Sequence, residues 1–278
     1  MDIRPVALVI PAQATSDGAG VSLSRSLGSQ ALDALDPFLL LDEFRSDDSA
    51  DYMGGFPDHP HRGIETVTYM LAGAMGHGDN QGNTGKLRSG DVQWMTAGRG
   101  IIHSEMPEQE EGLMWGFQLW VNLSAAQKMR EPRNQEIPAA DIPSVGLAGG
   151  VSVKVIAGAV DGTAGPVTEI DVDPTYLDVA VPPGGEFIHA LPAGHNGFCY
   201  VFEGDAVIGE GSESVTRGNL VVLGLGEAVR IAGGDNAARV LLIAGRPHDE
   251  PIVKYGPFVM NTKEEIMQAI DDYNGGRF

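Results

Sequence analysis

Residues 59–61 read His-Pro-His, and residues 103–105 read His-Ser-Glu. In each triplet two strong metal ligands stand two positions apart, the spacing at which side chains of a β-strand share a face. If both segments are extended and look into one cavity, His59, His61, His103 and Glu105 converge from two strands. Three imidazoles and a carboxylate form a mixed nitrogen and oxygen set suited to divalent first-row metals, iron among them. Four protein ligands leave positions free on an octahedral ion, so substrate or oxygen could bind directly. The pattern is that of a catalytic metal site. Nucleotide cofactors find no support, because neither GxGxxG nor GxxxxGK[ST] occurs.

The elements that must position these ligands are β-rich. PFLLLDEFRSD (37–47) reads as a buried strand running into an acidic loop. Ile64, Thr66, Val67, Thr68 and Tyr69 are branched or aromatic residues suited to a strand. GHGDNQGNTGK (76–86) is a glycine and asparagine cluster that predicts a loop, with His77 exposed to solvent. GDVQWMTAGRGIIHSEMP (90–107) resumes strand character, and LMWGFQLWVNL (113–123) predicts a strand buried on both faces. Ser124 to Arg130 predicts a short helix, since Ser124 and Gln127 fit a capping box and Pro132 ends it. At the other end, Thr262 and Glu265 form a second capping box, Ile266, Ile270 and Tyr273 share a face, and Gly275 marks the stop. This predicts a C-terminal amphipathic helix packed on a barrel.

Residues 131–150 are polar and rich in proline, alanine and glycine, and the domain boundary is placed there. The second half repeats the grammar of the first. TYMLAG ends at Gly73 and SGDVQWM carries Gly90; YVFEG ends at Gly204 and RGNLVVL carries Gly218. Such self-similarity predicts two tandem β-barrels, at 1–135 and 146–278. Offsets from these glycines match His59 and His61 to Ala190 and Pro192, and His103 and Glu105 to Ile231 and Gly233. All four ligands are missing from the second half, so only the first barrel is expected to bind metal.

Bulk composition narrows the partners. The 38 acidic side chains against 18 basic ones give a net charge of −20, which repels nucleic acid and anionic lipid. Cys199 is the single cysteine, which precludes an intrachain disulfide and suits a reducing compartment. Cys199 itself reads as a small core residue. No run approaches the roughly 18 apolar residues of a membrane span. The opening MDIRPVALVIPAQA reads as an N-terminal strand rather than a signal peptide. A cytoplasmic monomer is the expectation.

The runs LDPFLLLDEF, HPHRGIETVTYMLAG, DNQGNTGKL, GDVQWMTAGRGIIHSEMP and GPFVMNTKEEIMQAI resemble the pirins, members of the cupin superfamily. The resemblance implies an all-β chain of two tandem cupin barrels, double-stranded β-helices of jelly-roll type, with a few short helices. It implies one metal, commonly iron, in the N-terminal barrel at His59, His61, His103 and Glu105, and a metal-free C-terminal barrel. Many cupins take their carboxylate a few residues after the H-x-H, where Glu65 shares the parity of His59 and His61. The pirin pattern assigns it to Glu105 and leaves Glu65 to orient a ligand imidazole.

Several bacterial pirins resemble quercetin 2,3-dioxygenases, which open a flavonol ring with O2 and release carbon monoxide. By that likeness the cofactor is Fe(II) or another first-row divalent ion, the substrates are a flavonol-like aromatic and O2, and Glu105 is the general base. Vertebrate pirins offer the other reading, an iron-dependent or redox-sensing protein that docks on a protein partner without catalysis. Other cupin reactions, such as sugar isomerisation or a different oxygenation, are a third. Trp94, Met95, Met106 and Phe56 are candidate pocket walls, though each also suits core packing. Arg99, between two glycines, is expected to brace the ligand strand. His189, His195 and His248 are expected to be surface or hydrogen-bonded structural residues.

Overall fold

Alternating and β-branched sequence gives a chain whose regular structure is dominated by antiparallel strands. The computed structural model describes residues 1–211 and 213–278. Two compact units account for them. One comprises residues 14–28, 38–139 and 248–278, the other residues 1–13, 29–37 and 140–247.

The first unit closes a barrel from two sheets. Seven strands run in the order Arg133–Ile137, Val92–Thr96, Ile64–Ala72, Met114–Asn122, Phe38–Ser46, Val21–Leu27 and Gln13–Asp17. Four run in the order Phe56–His61, Ile101–Pro107, Ala74–Asp79 and Thr84–Arg88. An apolar cluster drawn from both sheets includes Val21, Leu23, Phe44, Met70, Met75, Leu87 and Met114, with Phe56 packed against it. Burying each such side chain contributes about 1.5–3 kcal/mol. This cluster closes one part of the barrel, and the polar site occupies another.

The second unit repeats the plan. Its seven-stranded sheet contains Asn196–Glu203, Asn219–Leu223, Ala238–Gly245 and Thr175–Val181, and its four-stranded sheet contains Glu186–Ala190, Ala228–Gly233, Asp205–Ile208 and Ser214–Thr216. Its interior is apolar, with Val153, Leu177, Phe187, Cys199, Val229, Ile231 and Leu242 among the buried residues. Burial pushes the Cys199 thiol pKa up, which suits an inert core residue. Ile231 pairs with Phe187, as His103 pairs with His59 in the first barrel. The counterpart of His59 is therefore Phe187 and not Ala190, because residues 191–195 lengthen the connection that Arg62 and Gly63 make alone in the first barrel. Both barrels share the frame, and Phe187 and Ile231 stand where the first has His59 and His103. His189, opposite Val229 as His61 is opposite Ile101, keeps an imidazole at one ligand position, which the sequence offsets match to Pro192.

Three expectations change. The 131–150 stretch is not a bare linker: it supplies Arg133–Ile137, paired with Val92–Thr96, and Ser144–Gly146, paired with Ser152–Ala157. The units divide inside it, between residues 139 and 140. A cut into 1–135 and 146–278 also differs from these units at both chain ends. The strand Val6–Pro11 pairs with Asn219–Leu223 of the second unit, and residues 248–278 belong to the first. In addition, Ser124 to Arg130 forms hydrogen-bonded turns rather than a helix. The C-terminal helix is as expected, over Lys263–Asn274. Its Thr262–Glu265 capping box is intact, and Ile266 and Ala269 are buried with Phe258 and Met260. No helix among the described residues is long and apolar enough to cross a membrane.

Candidate metal centre

The two triplets lie on adjacent strands. Phe56–His61 pairs antiparallel with Ile101–Pro107, and His59 stands opposite His103. Register shifts between His103 and Glu105, so that Glu105 stands opposite Phe56. On its other edge, the 101–107 strand sets Glu105 opposite His77 and His103 opposite Asp79.

Period-two geometry turns the imidazoles to one side. Ring centroids are 4.3 Å apart for His59 and His103, 4.8 Å for His59 and His61, and 5.1 Å for His61 and His103. One nitrogen from each ring lies within 4.8 Å of the other two. His59 Nδ1 is 2.9 Å from the Pro57 carbonyl oxygen. A proton on Nδ1 completes that bond and leaves the Nε2 lone pair free. His61 Nδ1 and His103 Nε2 are buried without a hydrogen-bond partner. Burial lowers the pKa of His61 well below the ordinary histidine value, with help from the charges of His103 and His59. Burial, then the charges of His59 and His77, lowers His103 to about 3. Neutral rings with unpartnered nitrogens are poor for folding, since buried polar atoms normally find partners. They are what a divalent cation requires of its ligands.

Glu105 is buried, and its Oε1 lies 2.9 Å from Thr68 Oγ1. Thr68 Oγ1 is also 2.7 Å from the side-chain amide of Gln118. The oxygen facing it is Gln118 Oε1, so the one hydroxyl proton of Thr68 serves either that amide oxygen or the Glu105 carboxylate. Burial raises the Glu105 pKa, while His59, Thr68 and His77 oppose the rise. The close cluster itself is the three imidazoles, and Glu105 is not among the groups within 4.8 Å.

Glu65 is elsewhere. The ligand strand stops at His61, and Gly63 turns the chain at φ +80°, where a Cβ would lie 2.0 Å from the Val259 carbonyl oxygen. Residue 64 opens a strand of the other sheet, so parity with His59 and His61 does not carry across. Thr68 faces Glu105, and Glu65, three residues earlier, projects from the opposite face of that strand. Its oxygens accept from Trp94 Nε1 at 3.0 Å and Thr96 Oγ1 at 2.7 Å, in place of the expected ligand imidazole. A Glu65→Gln variant should lose about 1 kcal/mol of stability through one mismatched donor. Its nickel(II) stoichiometry, measured by metal analysis, should equal that of the wild type. Metal loss in this variant would return Glu65 to the ligand set.

The expected loop position of His77 is also corrected. Residues 74–79 are a strand, and His77 is 9% exposed. Gln93 Nε2 lies 3.0 Å from its Nδ1, and Glu136 Oε1 lies 3.2 Å from its Nε2. Trp120 was also missed: its ring meets His61 edge-on at 5.1 Å. Leucine, tryptophan and valine crowd that strand, so composition alone does not single out the one indole that faces a ligand.

Of the expected walls, Trp94 and Met95 are fully buried, Phe56 packs in the apolar cluster, and Met106 is 38% exposed on the outer face. Arg99 braces through its backbone, whose carbonyl accepts from Arg62 Nε at 2.5 Å, while its side chain pairs with Glu131. His189 stacks on Phe187, His195 is buried with its carbonyl held by Arg4, and His248 lies 3.0 Å from the Asn122 carbonyl oxygen.

Two barrels, one carrying a three-histidine cluster and the other an apolar interior, define a bicupin with one candidate metal centre among the described residues. The chain belongs to the pirin family: the Pirin family model matches residues 20–121 and the Pirin C-terminal cupin domain matches residues 176–278. A "Pirin-like protein" of Caulobacter vibrioides is 51% identical over 279 residues, covering 100% of both chains. A "Putative quercetin 2,3-dioxygenase" of Pseudomonas aeruginosa is 51% identical over 94% of this chain and 93% of its own. The crystal structure of a quercetin 2,3-dioxygenase from Acinetobacter baumannii superposes with a TM-score of 0.90 at 33% identity, covering 99% of this chain and 98% of that one. A bacterial pirin from Escherichia coli, in complex with nickel(II), shares the fold at 19% identity with a TM-score of 0.68 over 86% of this chain.

Proposed function

We propose that this chain is a dioxygenase that opens a flavonol such as quercetin with O2, using one divalent metal, Fe(II), held by His59, His61, His103 and Glu105. The observation that carries the reading is the pair of unpartnered nitrogens, His61 Nδ1 and His103 Nε2, buried within a three-imidazole cluster. The donor set fits the ion, because neutral imidazoles and a carboxylate suit iron and its first-row neighbours. When bound, the metal supplies Lewis acidity toward the 3-hydroxyl and neighbouring carbonyl of a flavonol.

The chain's own residues do the rest. Glu105 is the carboxylate placed to receive the hydroxyl proton, with Oε1 hydrogen-bonded to Thr68 and Oε2 free of that bond. Thr68, when its proton serves that carboxylate rather than Gln118, fixes its rotamer. Trp120 beside His61 offers an apolar, flat surface to an aromatic ring. The similarity to proteins named as quercetin dioxygenases supports the substrate class.

Anaerobic reconstitution with Fe(II), followed by admission of air, tests the reading. Quercetin should lose its visible absorbance with release of carbon monoxide, and a His61→Ala variant should do neither. Stoichiometric iron without flavonol turnover would remove the enzyme reading and favour a metal-sensing protein that binds a protein partner.

A further inference from the structure

Arg62 follows the ligand His61 directly and is 3% exposed. A buried guanidinium needs partners for its donors. Its Nε donates to the Arg99 carbonyl at 2.5 Å, and its Nη1 pairs with Asp272 Oδ2 at 2.7 Å. Its charged plane lies 4.4 Å from the ring centroid of Phe278. Arg99 and Gly100 lead into the 101–107 strand, so the first bond ties the end of one ligand strand to the start of the other.

The second and third contacts come from residues more than two hundred positions away. The Phe278 ring is seated on Gly100, where a Cβ would come within 2.8 Å of it. The Phe278 carbonyl oxygen accepts from Asn80 Nδ2 at 3.0 Å, and Asn80 in turn bonds both the N–H and the carbonyl of Ile102. Upstream, the Val259 N–H donates to the Arg62 carbonyl at 3.1 Å. Residues 257–278 thus run as a strap over the ends of both ligand strands, and Arg62 is its buckle.

We infer that Arg62, held by Asp272 and Phe278, is a positioning residue that fixes His61 against His103 and so sets how slowly the metal leaves. The inference rests on the reading of the three-histidine cluster as a metal site. Groups behind the ligands typically change metal affinity by about 10–100-fold when altered. Asp272 touches no ligand: its Oδ2 pairs with Arg62, while its Oδ1 accepts from Gln268 Nε2 at 2.8 Å and Arg277 Nε at 2.9 Å. Its effect therefore reaches the ligands through Arg62 or through the Arg277–Phe278 end of the strap.

Nickel(II) alone is the probe, loaded on the full chain and removed by excess chelator. Asp272→Asn keeps the shape and removes the charge. Arg62→Lys keeps the charge but replaces the planar fork with a compact ammonium. Each variant should release nickel about tenfold faster than the wild type. Each should also broaden or shift the visible bands of its cobalt(II) form, a signature of altered ligand geometry. Ala269→Gly loosens the same helix without touching Arg62; its melting temperature should fall while its nickel release stays at the wild-type rate. Equal release from the wild type and both Arg62–Asp272 variants would overturn the strap, as would equally fast release from Ala269→Gly. A wild type that holds no nickel would instead remove the metal-site reading itself, and the strap with it.

Discussion

His103→Ala is expected to weaken nickel(II) or iron(II) binding by more than about 100-fold, above the range for groups that act behind the ligands. Its metal-free form should unfold within about 1 kcal/mol of the wild type, because two local effects oppose each other. Truncation leaves a small cavity, which costs stability. It also removes a buried nitrogen that has no partner, which relieves a desolvation penalty. The metal-loaded forms should differ widely. A ligand present at 100 times its Kd stabilises the native state by about 2.7 kcal/mol, and the variant should forfeit that gain. Thermal unfolding with and without nickel(II) reads both quantities in one experiment. A histidine with a purely structural task would show the reverse: a weaker apo protein with the nickel-induced shift intact. Retention of stoichiometric metal by His103→Ala would sink the proposed centre.

The alternation of His59 with His61 and of His103 with Glu105 was readable because a strand imposes a period of two on any sequence. The tandem barrels were readable for a similar reason, since Gly73 and Gly90 have counterparts in Gly204 and Gly218. What failed were readings that assumed continuity. Glu65 keeps the parity of His61 on paper, but Gly63 at positive φ hands the chain to the other sheet and reverses its facing. His77 sits in a run of Gly, Asp and Asn with weak strand propensity, yet pairing with residues 101–107 on one edge and 84–88 on the other makes it a buried strand residue. Arg62, Asp272 and Phe278 each look ordinary in sequence. Their meeting depends on a strand order that returns residues 248–278 to the first barrel, and no local pattern encodes that. The exchange of terminal segments was hidden for the same reason.

Lys128→Met is expected to cost about 3 kcal/mol, the largest stability loss predicted for a residue outside the cluster. Lys128 is 1% exposed, and its Nζ donates to the carbonyl oxygens of Gly63 at 3.0 Å and Val259 at 2.9 Å and to Asn122 Oδ1 at 2.8 Å. Three acceptors require three N–H bonds, which only the ammonium form supplies. Burial lowers its pKa to about 8, with Glu250 and Glu265 opposing the fall, so the group remains charged at neutral pH. Methionine fills a similar volume but removes the donor of three buried oxygens, of which the Gly63 carbonyl keeps only the long Leu123 N–H at 3.3 Å. Each oxygen left unsatisfied costs about 1–3 kcal/mol before any relaxation. Two of those oxygens flank the turn after His61, which makes the loss local to the strap as well as global. Urea unfolding should therefore show a lower midpoint with an unchanged slope, the sign of altered stability without altered compactness. A loss below about 1 kcal/mol would mean that water or neighbouring donors reach those carbonyls. The three bonds of Lys128 would then add little to the burial of hydrocarbon around them.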